Sequence, residues 1–400
     1  MIKSINSAGR IPIKMWLDDI EDGALQQAIN VANLPFAFNR VAILPDAHAG
    51  YGVGIGTVFA THSVIIPNAV GVDIGCGMCA MKTKIKEWDV NKIKEIMGEI
   101  RKIIPLGFDK LEHPLFDEMP PFKVHCPVCT EEHNNAAKQI GSLGGGNHFI
   151  ELQKDENGNL WVMLHSGSRH LGKTVCDTYN KIAREMNARY FSSVPSNYQL
   201  AFLPMESNEG RAYMEEMNYC LVYALANRLR MMKLIIGVLQ DKFNISSGGA
   251  ILGDYGFETP KDNDIINIHH NYAAFEHHFG HDVLVHRKGA TRVRAGEIGI
   301  IPGSQGTSSY IVRGLGNPES FMSCSHGAGR KMSRTKAKDT LNLQDEIDKM
   351  EAQGIVHGMR HKNDLPEAPG SYKDIDTVMA NQSDLVEILV KLSSIGVIKG

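Results

Sequence analysis

Six short glycine-rich segments of the sequence carry side chains that bind metal ions or act as nucleophiles. Glycine permits tight turns, so each segment can direct its polar side chains at one position. Imidazole, thiolate and carboxylate groups are ligands of divalent metal ions. The pattern therefore indicates a metal site assembled from distant parts of the chain. The segments are PDAHAGYG (45–52), VGVDIGCGM (70–78), GGGNHFIE (144–151), MLHSGSRHLG (163–172), HHNYAAFEHH (269–278) and CSHGAGR (324–330).

Asp73 and Cys76 form the most compact pair of candidate ligands. They stand three positions apart and are flanked by Gly71, Gly75 and Gly77. Small neighbours let the carboxylate and the thiolate point at one position, and a metal-bound thiolate can bridge two ions. The same residues are also compatible with a glycine-rich strand end that contains a buried, inert cysteine.

Three histidines extend this set of ligands. His148, His165 and His270 each stand beside Asn, Ser or Gly next to a strand-like run. A single histidine in such a position is commonly hydrogen-bonded within a core or loop, but the recurrence suggests a shared metal site. No spacing among them matches a compact zinc motif.

A separate pair of cysteines occurs in CPVC (126–129), beside His125 and His133. It is typical of half a zinc site, but the sequence lacks a second CxxC at the usual spacing. An exposed thiol pair in a loop is the alternative interpretation.

Basic side chains concentrate in two segments, RKGATRVRAG (287–296) and SHGAGRKMSRTKAK (325–338), which contain no acidic residue. Arginine matches phosphate oxygens with two parallel hydrogen bonds, so contact with a polyanion fits these segments, although such runs are commonly solvated surface. Between them, IPGSQGTSSYIVRG (301–314) offers backbone N–H groups and hydroxyls to a nucleotide phosphate. No GxxxxGK[ST] motif is present and no GxGxxG opens a helix, so the common nucleotide-binding folds are not supported.

The elements that must position these residues are mixed. The first 80 residues predict strands and loops, and a helix is predicted at about 86–104 before a Pro-rich, irregular stretch at 105–140. HFIELQ and LWVMLHSGS predict a strand pair around the turn DENGN. Helices are predicted from about 171 to 243, a β-rich block at about 264–325, and helices at about 335–352 and 379–394. In the second long helix, the predicted apolar stripe is Met214, Met217, Leu221, Leu225, Leu229, Met232, Ile236 and Leu239.

This order lacks a regular βαβ rhythm, so it predicts an α+β fold, with residues 1–400 in one large domain. The chain has 400 residues, 43% of them hydrophobic, and a net charge of −3. That composition is typical of a globular protein without a global basic field, so any surface for nucleic acid must be local. No apolar run reaches the length of a membrane span, and seven cysteines do not predict a disulfide framework, so we expect a cytoplasmic protein.

Taken together, the segments resemble the RtcB family of tRNA-splicing and RNA-repair ligases. The resemblance runs from PIKMW (12–16) to Lys399-Gly400. It is carried by PDAH, GVDIGCGM, GNHFIE, LHSGSR, HHNY, PGSQGTSSYIVRGLGN and SCSHGAGRKMSR. It implies a distinctive α+β fold with mixed sheets around a dinuclear metal cleft. The implied reaction joins an RNA 3′-phosphate or 2′,3′-cyclic phosphate to a 5′-hydroxyl, with GTP and two Mn²⁺ ions as cofactors.

The resemblance also implies a role for individual residues. His326 corresponds to the histidine that becomes guanylated. Cys76 would bridge two ions, with Asp73 and His148 on one and His165 and His270 on the other. The RNA-binding positions are Asp46, Arg169, Arg313 and Arg330. The guanylate-binding positions are Asn147, Glu151, Asn271, Pro302, Gly303, Ser304, Gln305, Ser309, Gly327, Ala328, Gly329, Tyr372 and Lys399.

Two further considerations bear on the cofactor and the substrate. By intrinsic affinity, these ligands would bind Zn²⁺ more tightly than Mn²⁺, so manganese is implied by the family alone. Tyr51 stands where many members have Lys, and residues 105–140 are shorter and less basic than usual. Because both regions could touch RNA, we expect a specialised RNA-repair branch, in which an activating partner protein is possible.

Two other functions use the same residues. A dinuclear metal-dependent phosphoesterase that acts on RNA phosphate ends would employ the metal ligands but would not need His326. A non-catalytic RNA-binding protein would use only the basic segments.

Overall fold

A computed structural model of the protein describes residues 1, 3–6, 8–121, 126–245 and 265–400. The strands are β1 (Lys3–Ile5), β2 (Ile13–Met15), β3 (Ala37–His48), β4 (Ile55–Thr61), β5 (Val64–Ile65), β6 (Gly77–Lys82), β7 (Phe149–Asp155), β8 (Leu160–Ser166), β9 (Leu203–Pro204), β10 (Ile266–His269), β11 (Asn271–His278), β12 (His281–Lys288), β13 (Ala290–Arg292), β14 (Ile298–Ile301), β15 (Ser309–Gly314), β16 (Ser323–Ser325) and β17 (Val386–Lys399). The α-helices are α1 (Asp22–Ala32), α2 (Pro67–Val70), α3 (Val90–Ile103), α4 (Pro127–Glu131), α5 (His133–Ala137), α6 (Arg169–Arg189), α7 (Asn208–Lys242), α8 (Arg334–Thr340), α9 (Leu343–Glu351) and α10 (Ile375–Ala380).

Two large sheets form the framework of the fold, and in both the order of the strands differs from their order along the chain. One has six strands in the order β1-β2-β3-β4-β12-β11, and the other has seven in the order β10-β6-β8-β7-β17-β15-β14. Residues from both sheets, among them Trp16, Val58, Val285 and Val312, pack in one buried cluster. Helices α3 and α7 cover the seven-stranded sheet through a second cluster. The expected α+β fold with mixed sheets is confirmed, whereas the assignment of residues 1–400 to one domain stays a prediction.

The strand pair predicted around DENGN is confirmed. β7 and β8 pair antiparallel, with Phe149 opposite His165 and Lys154 opposite Leu160. Asp155 accepts hydrogen bonds from the backbone N–H groups of Asn157 and Asn159, which fixes the turn. The register places the two histidine-bearing strand ends, at 148 and 165, side by side.

The helix predicted at about 379–394 is wrong. α10 ends at Ala380, and Val386–Lys399 forms β17, the longest strand of the described chain. β17 lies between β7 and β15 and pairs antiparallel with both. The segment is rich in Val and Ile, which favour strands, and pairing on two sides outweighs its weak helical periodicity.

The long helices occur close to where the sequence predicts them. α3 covers most of the helix predicted at 86–104, and α6 and α7 account for the helical region from 171 to 243. The predicted helical stretch at 335–352 is interrupted at Asn342, whose side chain caps α9. The stretch at 105–140 is less irregular than predicted, because it contains α4 and α5.

The buried face of α7 differs from the predicted apolar stripe. Leu221, Leu225 and Leu229 are only partly buried. The buried face instead includes polar residues, namely Glu216, Asn227 and Arg228. Apolar periodicity cannot reveal such positions, because these side chains are stabilised in the interior by hydrogen bonds. Among the described helices, none combines the length and apolar character needed to cross a membrane.

Candidate metal centre and nucleotide cavity

The candidate metal ligands converge where strands of the seven-stranded sheet end. Cys76 immediately precedes β6, His148 precedes β7, and His165 lies near the end of β8. His270 lies between β10 and β11, and its backbone N–H donates to the carbonyl of Cys76. Since β6 pairs with both β8 and β10, the sheet brings these segments together.

The ligand atoms form two groups that share Cys76. One group is Cys76, His165 and His270, and the other is Asp73, Cys76 and His148, with the atoms of each within 4.8 Å of one another. Cys76 Sγ lies 3.1 Å from His165 Nε2 and 3.5 Å from His148 Nε2. His165 Nε2 lies 3.2 Å from His270 Nε2. Each group combines a sulfur with imidazole or carboxylate donors at one position, so each would hold a divalent cation.

The second ring nitrogens fix the orientation of two imidazoles. His148 Nδ1 lies 3.0 Å from the carbonyl oxygen of Leu143, and His165 Nδ1 lies 3.3 Å from that of Asn147. A carbonyl can only accept, so each Nδ1 carries a proton and each Nε2 is the nitrogen that faces the other candidate ligands.

Burial sets the protonation of the cluster. Desolvation and neighbouring cations lower the pKa values of His165 and His270 well below the usual histidine value, so both rings are neutral at pH 7. Desolvation and the nearby Asp73 carboxylate raise the pKa of Cys76. Although burial opposes it, hydrogen bonding to His148 holds the pKa of Asp73 at about 2.

Two buried residues of α7 hold the loops of the cluster, and sequence reasoning missed both. The guanidinium of Arg228 donates to the carbonyls of Gly75 and Ser166, each at 2.9 Å. Asn227 donates to the carbonyls of Ser142 and Gly167. Their only signal in the sequence is an Asn-Arg pair that interrupts an otherwise apolar helix face.

Asp46 and His326 form the second part of the site. Asp46 is fully buried on β3. Its Oδ2 lies 2.6 Å from His326 Nδ1 and accepts the backbone N–H of His326 at 3.0 Å. The carboxylate therefore holds the proton on Nδ1 and leaves Nε2 as the nucleophilic nitrogen. The His326 ring packs edge-on against His270 with centroids 4.8 Å apart, so it adjoins the metal ligands.

Close packing around Asp46 explains one glycine of the SHGAGR segment. Gly329 has a φ of +72°, and a Cβ there would lie 2.1 Å from the carbonyl oxygen of Asp46. Any side chain at 329 would push the strand that carries Asp46 away from His326.

A cavity of about 410 Å³ opens beside His326. It is lined by most of the predicted guanylate-binding residues, and these are Asn147, Glu151, Pro302, Gly303, Ser304, Gln305, Gly327, Ala328, Gly329, Tyr372 and Lys399. Segment 302–305 connects β14 to β15, and Lys399 is the last residue of β17. The two sheets and their loops thus enclose a space next to the metal ligands.

Glu151 lies in this cavity on β7 and is 3% exposed. Its Oε1 is buried without a hydrogen-bond partner among the described residues. Desolvation raises the pKa of Glu151 to about 8, although Ser394 and Lys399 act in the opposite direction. A buried carboxyl with a free oxygen is suited to a ligand that brings N–H donors.

Glu367 is a cavity residue that sequence reasoning missed. Its carboxylate accepts hydrogen bonds from Tyr372 Oη at 2.5 Å and Lys399 Nζ at 3.3 Å, and it pairs with Arg330 at 3.3 Å. The guanidinium carbon of Arg330 lies 5.3 Å from the centroid of the Tyr372 ring. Glu367 therefore positions three predicted site residues, but it lies in a segment without any recognisable motif.

Apart from Arg330, the remaining predicted positions lie outside the cavity lining. Asn271 bridges loops by accepting from Gly289 N–H and donating to the carbonyl of Asp73, and Ser309 Oγ lies under the 302–305 loop. Arg169 binds the carbonyl of Gly107. Arg313 pairs with Glu387 at 3.0 Å on the sheet. Asp46 is buried and contacts His326, and Arg330 lines the cavity; the RNA-binding role of both stays a prediction.

CPVC lies apart from this site. Cys126 and Cys129 are 3% and 0% exposed, so the exposed thiol pair is a wrong prediction. The backbone N–H of Cys129 donates to the buried carboxylate of Glu216 on α7, which docks the segment in the core. Neither cysteine belongs to a metal-ligand group formed by the described residues, and His125 lies outside those residues.

Comparisons with known proteins agree with the resemblance seen in the sequence. The profile of the family described as tRNA-splicing ligase RtcB matches residues 27–123 and 123–400. The chain is 39% identical to the RNA-splicing ligase RtcB of Escherichia coli (strain K12), over 97% of each protein. It is 31% identical to the tRNA-splicing ligase RtcB of Methanococcus maripaludis, over 98% of this chain and 95% of the relative. The chain therefore belongs to the RtcB family of tRNA-splicing ligases.

Proposed function

We propose that this protein is a GTP-dependent RNA ligase that joins an RNA 3′-phosphate or 2′,3′-cyclic phosphate to a 5′-hydroxyl. The curated relatives are named RNA-splicing or tRNA-splicing ligases, which supports RNA ends as the substrate. The natural role is tRNA splicing or RNA repair. The departures at Tyr51 and at 105–140 favour a specialised repair substrate.

The observation that carries the proposal is the position of His326. Its Nδ1 is held by Asp46, and its ring lies between the cavity and the metal ligand His270. A neutral imidazole with one oriented nitrogen is a competent nucleophile near pH 7. A dinuclear phosphoesterase, in which a metal-bound hydroxide attacks, would not need this imidazole.

The cavity favours a guanine nucleotide. Guanine presents its N1–H and amino N–H donors on one edge, which complements the unpartnered carboxylate oxygen of Glu151. Lys399 and Arg330 add positive charge, and the loop at 302–305 offers backbone N–H groups. Tyr372 provides an aromatic face for the base.

The residues fit two Mn²⁺ ions, with Cys76 shared, Asp73 and His148 on one side, and His165 and His270 on the other. When bound, the ions would polarise phosphate oxygens and offset their charge. Asn227 and Arg228 would preserve the ligand positions by holding the loops that carry them.

The proposed reaction has three transfers. His326 Nε2 attacks the α-phosphorus of GTP, a P–N bond forms, and pyrophosphate leaves. An oxygen of the RNA 3′-phosphate, released from the cyclic form by hydrolysis where needed, then displaces His326 and gives RNA-3′-pp-5′-G. The 5′-hydroxyl oxygen finally attacks the 3′-phosphorus, GMP leaves, and a phosphodiester bond is formed. Asp46 stabilises the imidazole whenever it carries additional positive charge.

The proposal is tested by incubating the protein with Mn²⁺ and α-labelled GTP. We expect acid-labile label on the wild-type protein and none on His326→Ala, with RNA joining lost in parallel. RNA 3′-phosphate removal that survives in His326→Ala, with no labelled protein in the wild type, would instead establish the phosphoesterase. RNA binding without turnover of either kind would leave only a binding protein.

A further inference from the structure

A second cavity, of about 570 Å³, adjoins the nucleotide cavity. Gln305, Arg334, Glu367 and Lys399 line both spaces, so the two are continuous. On its far side the second cavity is lined by Arg101 of α3 and by residues 357–360. We call it the Arg101 cavity.

Two guanidinium groups line the Arg101 cavity without a neutralising partner. Within the described part of the chain, neither Arg101 nor Arg360 forms an ion pair with a carboxylate. The Arg360 guanidinium donates to the carbonyls of Met359 and His357, and the Asp364 carboxylate accepts from the Arg360 backbone N–H and not from its guanidinium. Desolvation and the charge of Arg360 lower the pKa of Arg101, which indicates that the two cations are close. Like charges held together cost free energy that a bound anion would recover.

An exposed aromatic residue, Phe108, directly follows Gly107, which lies close to a residue that lines this cavity. Phe108 is 101% exposed, so its ring makes no packing contact that explains it. The preceding Gly107 donates its N–H to the carbonyl of Gly144, and a Cβ there would lie 4.0 Å from Gly400, which lines the cavity. A free aromatic face beside cations is the combination that binds single-stranded nucleic acid, through base stacking and phosphate contact.

We propose that the Arg101 cavity and Phe108 bind the backbone and an unpaired base of a single-stranded RNA segment whose end enters the nucleotide cavity. Arg101 and Arg360 contact phosphodiester oxygens, and Phe108 stacks on a base. This inference rests on the proposed RNA ligase function and deepens it, because it selects RNA with an unpaired end as the substrate. It also assigns a role to the beginning of the 105–140 segment, which departs from the family pattern.

The triphosphate of GTP is the alternative occupant of the Arg101 cavity, since it is a polyanion like RNA. A triphosphate has no base to stack on Phe108 once its guanine lies beside Glu151. The two occupants therefore differ in their response to substitution of Phe108.

The test measures binding of a fluorescent single-stranded RNA with a 3′-phosphate to the full-length protein, and separately the rate of guanylation by GTP. Arg101→Gln and Arg360→Gln should each weaken RNA binding roughly fourfold at physiological salt and reduce the salt slope by about 0.7. Phe108→Ala should weaken it about fivefold or more. Guanylation and its KM for GTP should not change. Arg184→Gln and Phe191→Ala, which alter an exposed arginine and an exposed phenylalanine elsewhere, are the matched controls.

Each outcome decides the proposal. Unchanged RNA binding in the folded Arg360→Gln and Phe108→Ala proteins overturns it, and a raised KM for GTP in the arginine variants assigns the cavity to the triphosphate instead. A wild-type protein that neither binds RNA nor becomes guanylated contradicts the proposed function itself. Thermal melting of each variant identifies any that fails to fold, and three separate test positions keep the test decisive.

Discussion

Asp46 and His326 are 280 positions apart in the sequence, and Asp46 Oδ2 lies 2.6 Å from His326 Nδ1. One carboxylate oxygen contacts both the ring and the backbone N–H of the histidine, so it fixes the position and the tautomer together. This contact joins β3 of the six-stranded sheet to the segment after β16. The His326 imidazole is thus held by a residue of a strand and not by a free loop.

Asp46→Asn tests this role. An amide can donate to Nδ1, which would place the imidazole proton on Nε2 and remove its lone pair. We expect guanylation to slow by about 10²- to 10⁴-fold with little change in GTP affinity. Single-turnover labelling with α-labelled GTP measures the rate, and Asp282→Asn, at an exposed aspartate, is the control. A wild-type rate in Asp46→Asn would contradict the orienting role.

Cys76→Ala tests the shared ligand. Because Cys76 belongs to both ligand groups, its loss should reduce bound Mn²⁺ from two ions to one or none after dialysis. Cys79→Ala, at a buried cysteine of the same strand outside both groups, should retain both ions. Metal analysis measures the number of ions that each variant binds, and melting curves show whether each variant is folded. Equal metal content in both variants would exclude Cys76 as a ligand.

The raised pKa of Glu151 predicts that the affinity for guanine depends on pH. Its pKa is raised to about 8, so the carboxyl is protonated at neutral pH and must lose its proton to accept two N–H donors. Affinity for guanosine, which has no phosphate to titrate, should increase about tenfold per pH unit below 8 and level off above it. Calorimetry across this range measures the affinity and the released proton. Glu151→Gln should bind weakly at every pH, and a parallel pH slope in that variant would refute the assignment.

Arg228→Met tests the support beneath the metal ligands. The substitution removes the guanidinium donor from the buried carbonyls of Gly75 and Ser166, so it should lower the free energy of unfolding by about 2–4 kcal/mol. Arg230→Met removes only the partly exposed pair with Glu118 on the same helix and should cost less than about 1 kcal/mol. Urea unfolding compares the two. Similar losses in both proteins would argue against a special role for Arg228.

Local sequence signals predicted the elements whose structure depends on nearby residues. The β7–β8 pair follows from two apolar runs and a turn of Asp, Asn and Gly, and α3 follows from a charged amphipathic pattern. β17 was mistaken for a helix, because its identity depends on partners located more than 70 residues earlier and more than 200 residues earlier. Pairing between strands that are so distant in the sequence produces little signal in the local residue pattern.

In the candidate site, too, local sequence patterns predict some residues, whereas the roles of others depend on long-range contacts. Residue type and motif are enough to identify Cys76, His326 and the other candidate site residues that the structure brings together. They did not reveal Glu367, whose importance comes from contacts with Lys399 and Arg330, or Arg228, whose role is to bind carbonyls of other loops. Both depend on long-range geometry. The burial of Asp46 also depends on long-range geometry, because only the fold places its carboxylate against His326.

β17 places a constraint on when the protein becomes active during its synthesis. Its last residue, Lys399, completes the nucleotide cavity, and the strand itself separates β7 from β15 and is hydrogen-bonded to both. A nascent chain that has already made Asp46, the candidate metal ligands and His326 still lacks this strand, so residue 399 must leave the ribosome before the cavity can close. Translation products truncated before β17 would therefore carry Asp46 and His326 without a formed cavity.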